Sequence, residues 1–395
     1  MLAPVRAPEP YAPQRAARSP GGRDRGSAGW RRARRIALLA AAVCLLPVVV
    51  SYAKMLTQPS DSSLGIRTVE WLRDNGARSV VNRVESIYYS LNAPPTGGPA
   101  LRSLPQQPGS VAAGGAGHHV IHYYRPHRIR PAIHPALPGE GVWRATWAGG
   151  GPRPPVLITS FRPNPSYPQL VAGVAWIDHS LTSVSLYPGL QEPSVPLPSR
   201  RPMEVPQHLR PRLVATFNSG FKLSDSGGGF AMGGHTYAPL ADGLATLIRY
   251  RSSKVDIVSW SSGPQAPSNL VYARQNLPLI VDHGRTNPNL STGPEWGATL
   301  GNAIQVWRSA VGVDRHGNLI YAAADYQTVG SLAAIMRRAG AVRAMELDIN
   351  SYWTSFITYR HPGARDPANL LPDMVRSPLR YLSADDRDFF AVYVR

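Results

Sequence analysis

The sequence predicts an α+β fold: a strand-rich, mixed-sheet domain with few helices, preceded by a single transmembrane helix. From residue 141 onward, short apolar runs rich in Val, Ile and aromatic residues alternate with Gly, Pro, Asn and Asp, which is the pattern of strands and turns. Within this part, clear helical periodicity appears chiefly at Val329–Ala339, and Gly340 ends it. Near the N-terminus, residues 36–53 carry no charge.

The same patterns divide the chain into five segments. They are an Arg-rich cytoplasmic tail (1–35), a transmembrane signal-anchor (36–53), a helical spacer (54–91), a Pro/Gly/His-rich linker (92–140) and the strand-rich domain (141–395). The runs predicted to be strands cover residues 156–161, 170–178, 183–187, 212–217, 245–250, 254–260, 278–282, 309–314, 319–324, 344–349 and 389–394.

The net charge of +18 would ordinarily suggest a nucleic-acid partner. Only three of the 42 basic residues are lysines, however, and nine arginines of residues 1–35 stand against two acidic residues. The charge is therefore concentrated in the tail, and we expect no nucleic-acid binding. The single cysteine, Cys44, excludes an intramolecular disulfide framework and a cysteine-based zinc cluster.

The uncharged segment 36–53 follows Arg31, Arg32, Arg34 and Arg35. Eighteen helical residues reach roughly 27 Å, close to the thickness of a bilayer core. Arginines on the N-terminal flank place that side in the cytoplasm, so the C-terminal domain is expected outside the cell. A cleaved signal peptide, with its cleavage site at residues 51–53, is the competing interpretation.

Residues 64–91 read as two short amphipathic helices broken near Asn75 and Gly76. They are expected either to dock on the main domain or to space it from the bilayer. The linker that follows holds five histidines between His118 and His134. Because no carboxylate or cysteine joins them, a solvated linker is the preferred interpretation over a metal site.

Residues 344–351 contain the most informative polar pattern. On a strand, alternation places Glu346, Asp348 and Asn350 on one face. Two carboxylates and an amide at this spacing suit acid–base catalysis or a cation site. The competing interpretation is a half-buried strand whose polar face is solvated.

Two further strands end in residues that suit ligand contacts. The strand at 212–217 runs into Asn218, Ser219 and Gly220, whose small residues leave backbone N–H groups accessible, although an ordinary tight turn has the same sequence. Arg308 is a lone arginine in an otherwise apolar strand. It is expected to meet an anionic ligand or to pair with a carboxylate such as Asp348.

Two loops are weaker candidates. His235 follows a glycine-rich stretch that fits either a flap over the site or a wide hairpin, and Asp282 ends a predicted strand. The sequence contains no G-x-S-x-G, H-E-x-x-H or C-x-x-C pattern, so serine-hydrolase and zinc-protease functions have no support.

Taken in order, these segments resemble the phosphodiester glycosidase family, with its N-acetylglucosamine-1-phosphodiester α-N-acetylglucosaminidase-like domain and its exported bacterial subgroup. The family's strand ending in N-G-G-F, its R-T/S-x-x-G strand and its L-D-G-G-G-S strand end are matched by residues 218–221, 308–312 and 347–351. The resemblance spans roughly residues 155–395. Ser219 replaces a glycine, and residues 349–351 replace the glycine triplet, which crowds the loop after Asp348.

The resemblance implies hydrolysis of the bond between a sugar's anomeric carbon and a phosphodiester oxygen. Together with the signal-anchor, it predicts a membrane-anchored hydrolase of the cell envelope. Asp348 or Glu346 would act as base or nucleophile, Arg308 would neutralise the departing phosphate, and Asn218 would hold sugar or phosphate oxygens. The other candidate binding residues are Ser219, Gly220, His235, Asp282 and Asn350. No cofactor is expected, although a divalent cation bridging Asp348 and phosphate remains open.

The expected substrate is a sugar phosphate or an anionic cell-wall polymer. A non-catalytic envelope protein that binds anionic wall polysaccharide through the same cleft is the alternative function, and the glycine-poor loop after Asp348 is the feature that favours it.

Overall fold

The computed structural model describes residues 25–107, 109–110, 124–149, 153–297 and 304–395, with side chains from residue 30 onward. The described chain separates after Thr57 into two compact units. Three of the linker histidines, His118, His119 and His122, lie outside the described residues.

The first unit contains one long helix, α1 (Arg25–Thr57). Its part from Trp30 to Thr57 is long and apolar enough to cross a membrane by length and composition, a test that a signal sequence also passes. The predicted apolar segment is therefore helical, as expected for a signal-anchor or a membrane span.

The second unit begins with two helices, α2 (Leu64–Leu72) and α3 (Arg78–Leu91). The predicted break between them is confirmed, because Gly76 has a φ of 93°, a left-handed conformation that favours glycine. Both helices contact the strand-rich part: Glu70 Oε2 of α2 lies 3.1 Å from Lys222 Nζ, and Tyr89 Oη of α3 lies 3.4 Å from Ser351 Oγ. The spacer thus docks on the domain.

Among the described residues, the strand-rich part holds eighteen strands and two more α-helices. The first nine strands are β1 (Arg144–Ala145), β2 (Val156–Phe161), β3 (Ala172–Ile177), β4 (Thr182–Tyr187), β5 (Leu213–Asn218), β6 (Phe230–Met232), β7 (His235–Ala238), β8 (Ala245–Tyr250) and β9 (Val255–Ser259). The others are β10 (Leu270–Gln275), β11 (Leu279–Asp282), β12 (Arg285–Thr286), β13 (Val306–Val313), β14 (Leu319–Gln327), β15 (Arg343–Glu346), β16 (Phe356–His361), β17 (Arg365–Asn369) and β18 (Phe389–Val394). The helices are α4 (Leu223–Ser226) and α5 (Val329–Arg338).

These strands form three sheets, which confirms the strand-rich fold class. The orders are β1-β2-β3-β14-β13-β15-β11-β12, β7-β6-β10-β8-β9 and β17-β16-β5-β18-β4. The strand pairs of the described residues are all antiparallel. The sequence predicts a mixed sheet, with parallel as well as antiparallel pairs, and the observed pairs differ from it in this respect. Hairpin connections join many of the neighbouring strands, and strands joined in this way are antiparallel.

One hydrophobic core connects the three sheets, and the eight residues of β13 are all buried. The predicted helix α5 covers one side of the large sheet and starts with a capping box at Thr328 and Ser331. This core holds the ends of β5 and β15 rigidly next to each other, since Asp348 N donates to Ser219 O at 3.1 Å. The two motif-bearing strand ends therefore meet at one place.

Candidate functional site

A cavity of about 440 Å³ opens beside the ends of β5 and β15. Asp348, Asn350 and Trp353 of the loop after β15 line it, together with Phe221 and Lys222 after β5. Further lining residues are Arg73, Arg78, Asn82, Ser224, Asp225, Leu277, Glu295, Gly297, Ile349 and Arg387. The volume suits a small polar ligand such as a sugar phosphate.

Asp348 is the predicted catalytic carboxylate that faces this cavity. Its Oδ1 accepts a hydrogen bond from Asn350 N at 3.0 Å, and its backbone oxygen accepts one from Ser309 Oγ at 2.7 Å. Burial raises the pKa of Asp348, and the neighbouring Arg387 opposes that shift. A buried carboxylate whose pKa is raised in a cavity wall is typical of a catalytic acid or base.

Glu346 occupies a different environment. It is fully buried, does not line the cavity, and forms an ion pair with Arg308. Burial raises its pKa to about 7, although Arg308 favours the charged form. Alternation along one strand predicts Glu346 and Asp348 on the same face. Strand β15 stops at Glu346, however, so the alternation ends there and the two carboxylates lie in different surroundings.

Arg308 lies beneath the site and does not line the cavity. Its guanidinium donates to the carbonyls of Gln327 and Trp296, both at 2.9 Å, and to that of Ile304 at 3.2 Å. With Glu346 as a further partner, this arginine has the surroundings of a structural residue. Of the two alternatives drawn from the sequence, pairing with a carboxylate is observed, but the carboxylate is Glu346.

The side chain of Asn218 likewise has a structural role. Its Nδ2 donates to Ser309 Oγ at 3.1 Å, and its Oδ1 accepts from Tyr321 Oη at 2.9 Å and from Ser355 N at 3.0 Å. These bonds occupy both ends of the amide and fix the approach of β5, β14 and β16. Its side chain is therefore committed to holding the strand ends.

The remaining predicted binding residues separate into two groups. Ser219 and Gly220 lie at the end of β5, where a Cβ on Gly220 would come within 3.0 Å of the Asn276 side chain. His235 lies exposed on β7, and Asp282 lies at the end of β11 beside His283. None of these four residues lines the cavity, and the glycine-rich stretch forms the β6–β7 hairpin.

The structure adds Arg387 to the site. Arg387 is only 8% exposed, lies over the Trp353 ring at 4.8 Å, and lines the cavity with Asp348. Its Nε and Nη1, and the indole Nε1 of Trp353, are buried without a hydrogen-bond partner among the described residues. Unpaired buried donors are costly and need an explanation. An anionic or oxygen-rich ligand would supply the missing acceptors.

The cavity wall also includes cations from α2 and α3. Glu70 of α2 lies between Arg73, Lys222 at 3.1 Å and Arg387 at 3.5 Å. Burial alone would lower the pKa of Arg387, but the charges of Glu70 and Asp348 outweigh it and raise that pKa. The guanidinium therefore stays charged, and its unpaired N–H groups suit a phosphate group.

Sequence reasoning missed Arg387 because its neighbours, residues 385–388, are mostly acidic and read as a solvated turn. Lys222 could have been found, since it directly follows the Asn-Ser-Gly-Phe segment and is one of only three lysines. Glu295, which also lines the cavity, follows no recognisable motif.

The sequence leaves open a divalent cation that bridges Asp348 and phosphate. The described residues contain no group of three or more His, Cys, Asp or Glu side chains arranged to hold a metal ion. Around Asp348, the neighbouring side chains of Arg387 and Arg380 are cations. Because these guanidinium groups already supply positive charge, the residues present do not fit a divalent cation next to Asp348.

Comparisons with known proteins agree with the resemblance. Residues 212–348 match the model of the phosphodiester glycosidase family, a range that contains β5, Arg308 and Asp348. No curated protein matches the sequence.

Several solved structures are similar to this chain. The catalytic domain of zebrafish N-acetylglucosamine-1-phosphodiester α-N-acetylglucosaminidase, described as auto-inhibited by its pro-peptide, is 16% identical, with a TM-score of 0.40 over 64% of this chain and 88% of that chain. A hypothetical protein from Synechocystis is 17% identical, with a TM-score of 0.34 over 61% and 62% of the two chains. A putative exported protein from Burkholderia pseudomallei is 10% identical, with a TM-score of 0.32 over 57% and 74%.

The matched range holds the two strand ends that meet at Asp348, and over residues 212–348 the chain is similar to the phosphodiester glycosidase family.

Proposed function

We propose that this protein is an exported, membrane-anchored hydrolase that cleaves a sugar-1-phosphodiester in a cell-envelope glycoconjugate. One observation carries the proposal: the cavity places a buried carboxylate, Asp348, in the same wall as a buried arginine, Arg387, that has unpaired N–H groups. A glycosyl phosphodiester has an anomeric carbon at which the Asp348 carboxylate can act and a phosphate anion that Arg387 can bind. The match of residues 212–348 to the phosphodiester glycosidase family supports this chemistry.

Asp348 acts at the anomeric carbon. As a base, it removes a proton from water while the water oxygen bonds to that carbon; as a nucleophile, it forms the bond itself and water later releases the sugar. In both cases the carbon–oxygen bond breaks, and the phosphate leaves as a monoester with the bonding electron pair. Because phosphate is a good leaving group, a strong acid is not required.

Arg387 stabilises that leaving group. A guanidinium held in a buried wall strengthens its contact with the phosphate as charge develops, and it needs little reorganisation to do so. Arg308, which the sequence suggested for this role, instead holds Glu346 below the cavity. We assign Arg308 and Glu346 to positioning of the loop that carries Asp348.

The location follows from the N-terminal helix. A candidate span from Trp30 to Thr57 with arginines in its first residues supports an anchor in the cell membrane with the domain outside. Envelope polymers and sugar phosphates then come within reach of the cavity. The cationic groups lining it, Arg73, Arg78, Lys222 and Arg387, suit such anionic substrates.

Product analysis in ¹⁸O-labelled water tests the proposal. The detergent-solubilised full chain is incubated with nucleoside-diphosphate sugars, synthetic sugar-1-phosphodiesters and teichoic-acid fragments, and the products are identified by mass spectrometry. We expect free sugar carrying ¹⁸O and an unlabelled phosphomonoester. The label in the phosphate would show phosphorus–oxygen cleavage and refute a glycosidase.

Two variants complete this test. Asp348→Asn should abolish turnover, whereas Asp366→Asn, at an exposed carboxylate on the β16–β17 hairpin, should leave it unchanged. Saturable binding of wall polymer by the wild type without any product would replace the hydrolase with the non-catalytic polymer-binding function.

A further inference from the structure

Helix α3 exposes most of its apolar side chains, although Val81 is buried. Its polar side chains face the domain: Arg78 and Asn82 line the cavity, Glu85 pairs with Arg73, and Tyr89 Oη lies 3.4 Å from Ser351 Oγ. A helix on a protein surface normally turns its apolar side inward. The apolar side of α3 must therefore be explained by something outside the described residues.

The opposite side of α3 carries an apolar stripe of Val80, Val84, Ile87, Tyr88 and Leu91. These side chains are between 54% and 79% exposed. At about 100° per residue they fall within an arc of about 100° along the whole helix. Contiguous exposed apolar surface of this kind marks an interaction site.

We propose that this stripe lies in the interface of the lipid bilayer and docks the domain on the membrane. The stripe has the composition of an interfacial helix, with branched aliphatic residues and a tyrosine, whose ring and hydroxyl suit the boundary between acyl chains and water. Arg83, at the edge of the arc and exposed, suits an anionic headgroup. No acidic residue of α3 lies on this arc.

The position in the chain selects lipid over other occupants. Helix α3 begins at Arg78, 21 residues after Thr57 ends the candidate membrane span. A segment tethered so closely meets the bilayer at a high effective concentration, so a stripe of modest affinity suffices. A second copy or another protein has no such fixed local concentration.

Docking has a consequence for the cavity. Arg78 and Asn82 line it from the same helix that carries the stripe, and an α-helix is about 10 Å across. The cavity would therefore open within about one helix diameter of the lipid headgroups. This inference is independent of the proposed reaction, because it rests only on α3 and its tether.

Site-directed spin labelling of the full chain tests the proposal. Cys44→Ala removes the single native cysteine, and Ile87→Cys places one label on the stripe. The control label is Gln265→Cys, an exposed position in the loop before β10. Each protein is reconstituted into nanodiscs of neutral and anionic phospholipid, and collisions with molecular oxygen and with a water-soluble nickel complex are measured.

At position 87 we expect oxygen, which partitions into lipid, to collide more often than nickel, and at position 265 we expect the reverse. Val84→Ser with Tyr88→Ser should remove the oxygen preference at position 87 while far-UV circular dichroism stays unchanged. Equal behaviour at positions 87 and 265 overturns the proposal. Dipolar broadening between labels at position 87 also overturns it, since a second copy would then cover the stripe.

Discussion

Asp348 and Arg387 are both buried and lie in one wall of the cavity. Their charges are opposite, and their hydrogen bonding differs. Asp348 accepts from a backbone N–H, whereas two guanidinium nitrogens of Arg387 have no partner among the described residues. An unpaired buried donor weakens the folded state unless a ligand restores the bond. At the scale of single residues, Arg387 is therefore the strongest sign of an anionic substrate.

Replacing Arg387 by lysine tests that role. The Arg387→Lys variant keeps the charge but loses the planar fork and its stacking on Trp353. We expect kcat/KM for a turned-over phosphodiester to fall by about 10²-fold, the loss that follows removal of a single well-placed donor. Arg365→Lys, at an exposed arginine of β17, is the matched control. Steady-state kinetics at saturating and limiting substrate measure both, and equal kcat/KM for the two variants would contradict the assignment.

Glu346 makes the free energy of unfolding of this protein depend on pH. Its pKa of about 7 in the folded protein lies above its ordinary value of 4.5, so the folded state retains a proton that the unfolded state releases. The free energy of unfolding of the wild type therefore falls as the pH rises from about 4.5 through 7, by up to about 3 kcal/mol from this group. Urea unfolding at several pH values measures that slope.

The Glu346→Gln variant should lose this part of the slope, because glutamine does not titrate. Asp366→Asn should retain it. If the slopes of the Glu346→Gln variant and the wild type coincided, Glu346 would have the same pKa in the folded and unfolded states.

At the scale of elements, α5 shows how one helix start positions the large sheet. Thr328 Oγ1 accepts from Ser331 N, and Ser331 Oγ accepts from Thr328 N, which closes a capping box. The helix then buries Leu332 and Met336 against the sheet. The cap therefore fixes where the helix begins relative to β14.

Removing the cap should cost stability without changing the fold. Thr328→Ala leaves the N–H of Ser331 without an acceptor, and we expect the free energy of unfolding to fall by about 1 kcal/mol. Thr328→Ser retains the hydroxyl and should lose much less. Thermal and chemical denaturation report the difference, and equal stability of the two variants would contradict the role of the cap.

At the scale of the whole molecule, α2 and α3 belong to the domain that carries the site. Asp74 and Glu70 contact Lys222, and Arg73 lines the cavity. The second compact unit accordingly starts at Gln58. A segment that read in the sequence as a spacer thus completes one wall of the cavity.

Two truncations test whether α2 and α3 are part of the site. A chain of residues 58–395 should be folded, monodisperse and active, because the unit boundary precedes it. A chain of residues 92–395 should lose turnover, because it lacks Arg73, Arg78 and Asn82 and leaves Lys222 and Arg387 without Glu70. Product formation and circular dichroism measure the two chains, and full activity of the shorter one would show that α2 and α3 are not part of the site.

Much of the fold was predictable because local patterns agreed with the tertiary structure. The predicted strands are observed, although β15 ends at Glu346 and not at Ile349. No clear strand pattern marks β10, β16 and β17, since these strands carry arginines, a proline or other polar residues among few aliphatic ones. Asp348 was identifiable as a site residue because its motif follows a strand.

The sequence by itself determined the apolar N-terminal helix, the strand-rich class, the helix α5 and the strands that lead to Asn218 and Asp348, because each depends on residue order within a short window. Only the tertiary structure decided that Glu346 and Arg308 pair beneath the cavity, while Asp348 and Arg387 face it. The physical reason is that burial and charge pairing depend on which distant segments meet. Arg387 is separated from Asp348 by two strands and from Glu70 by most of the chain, so no local pattern could bring them together.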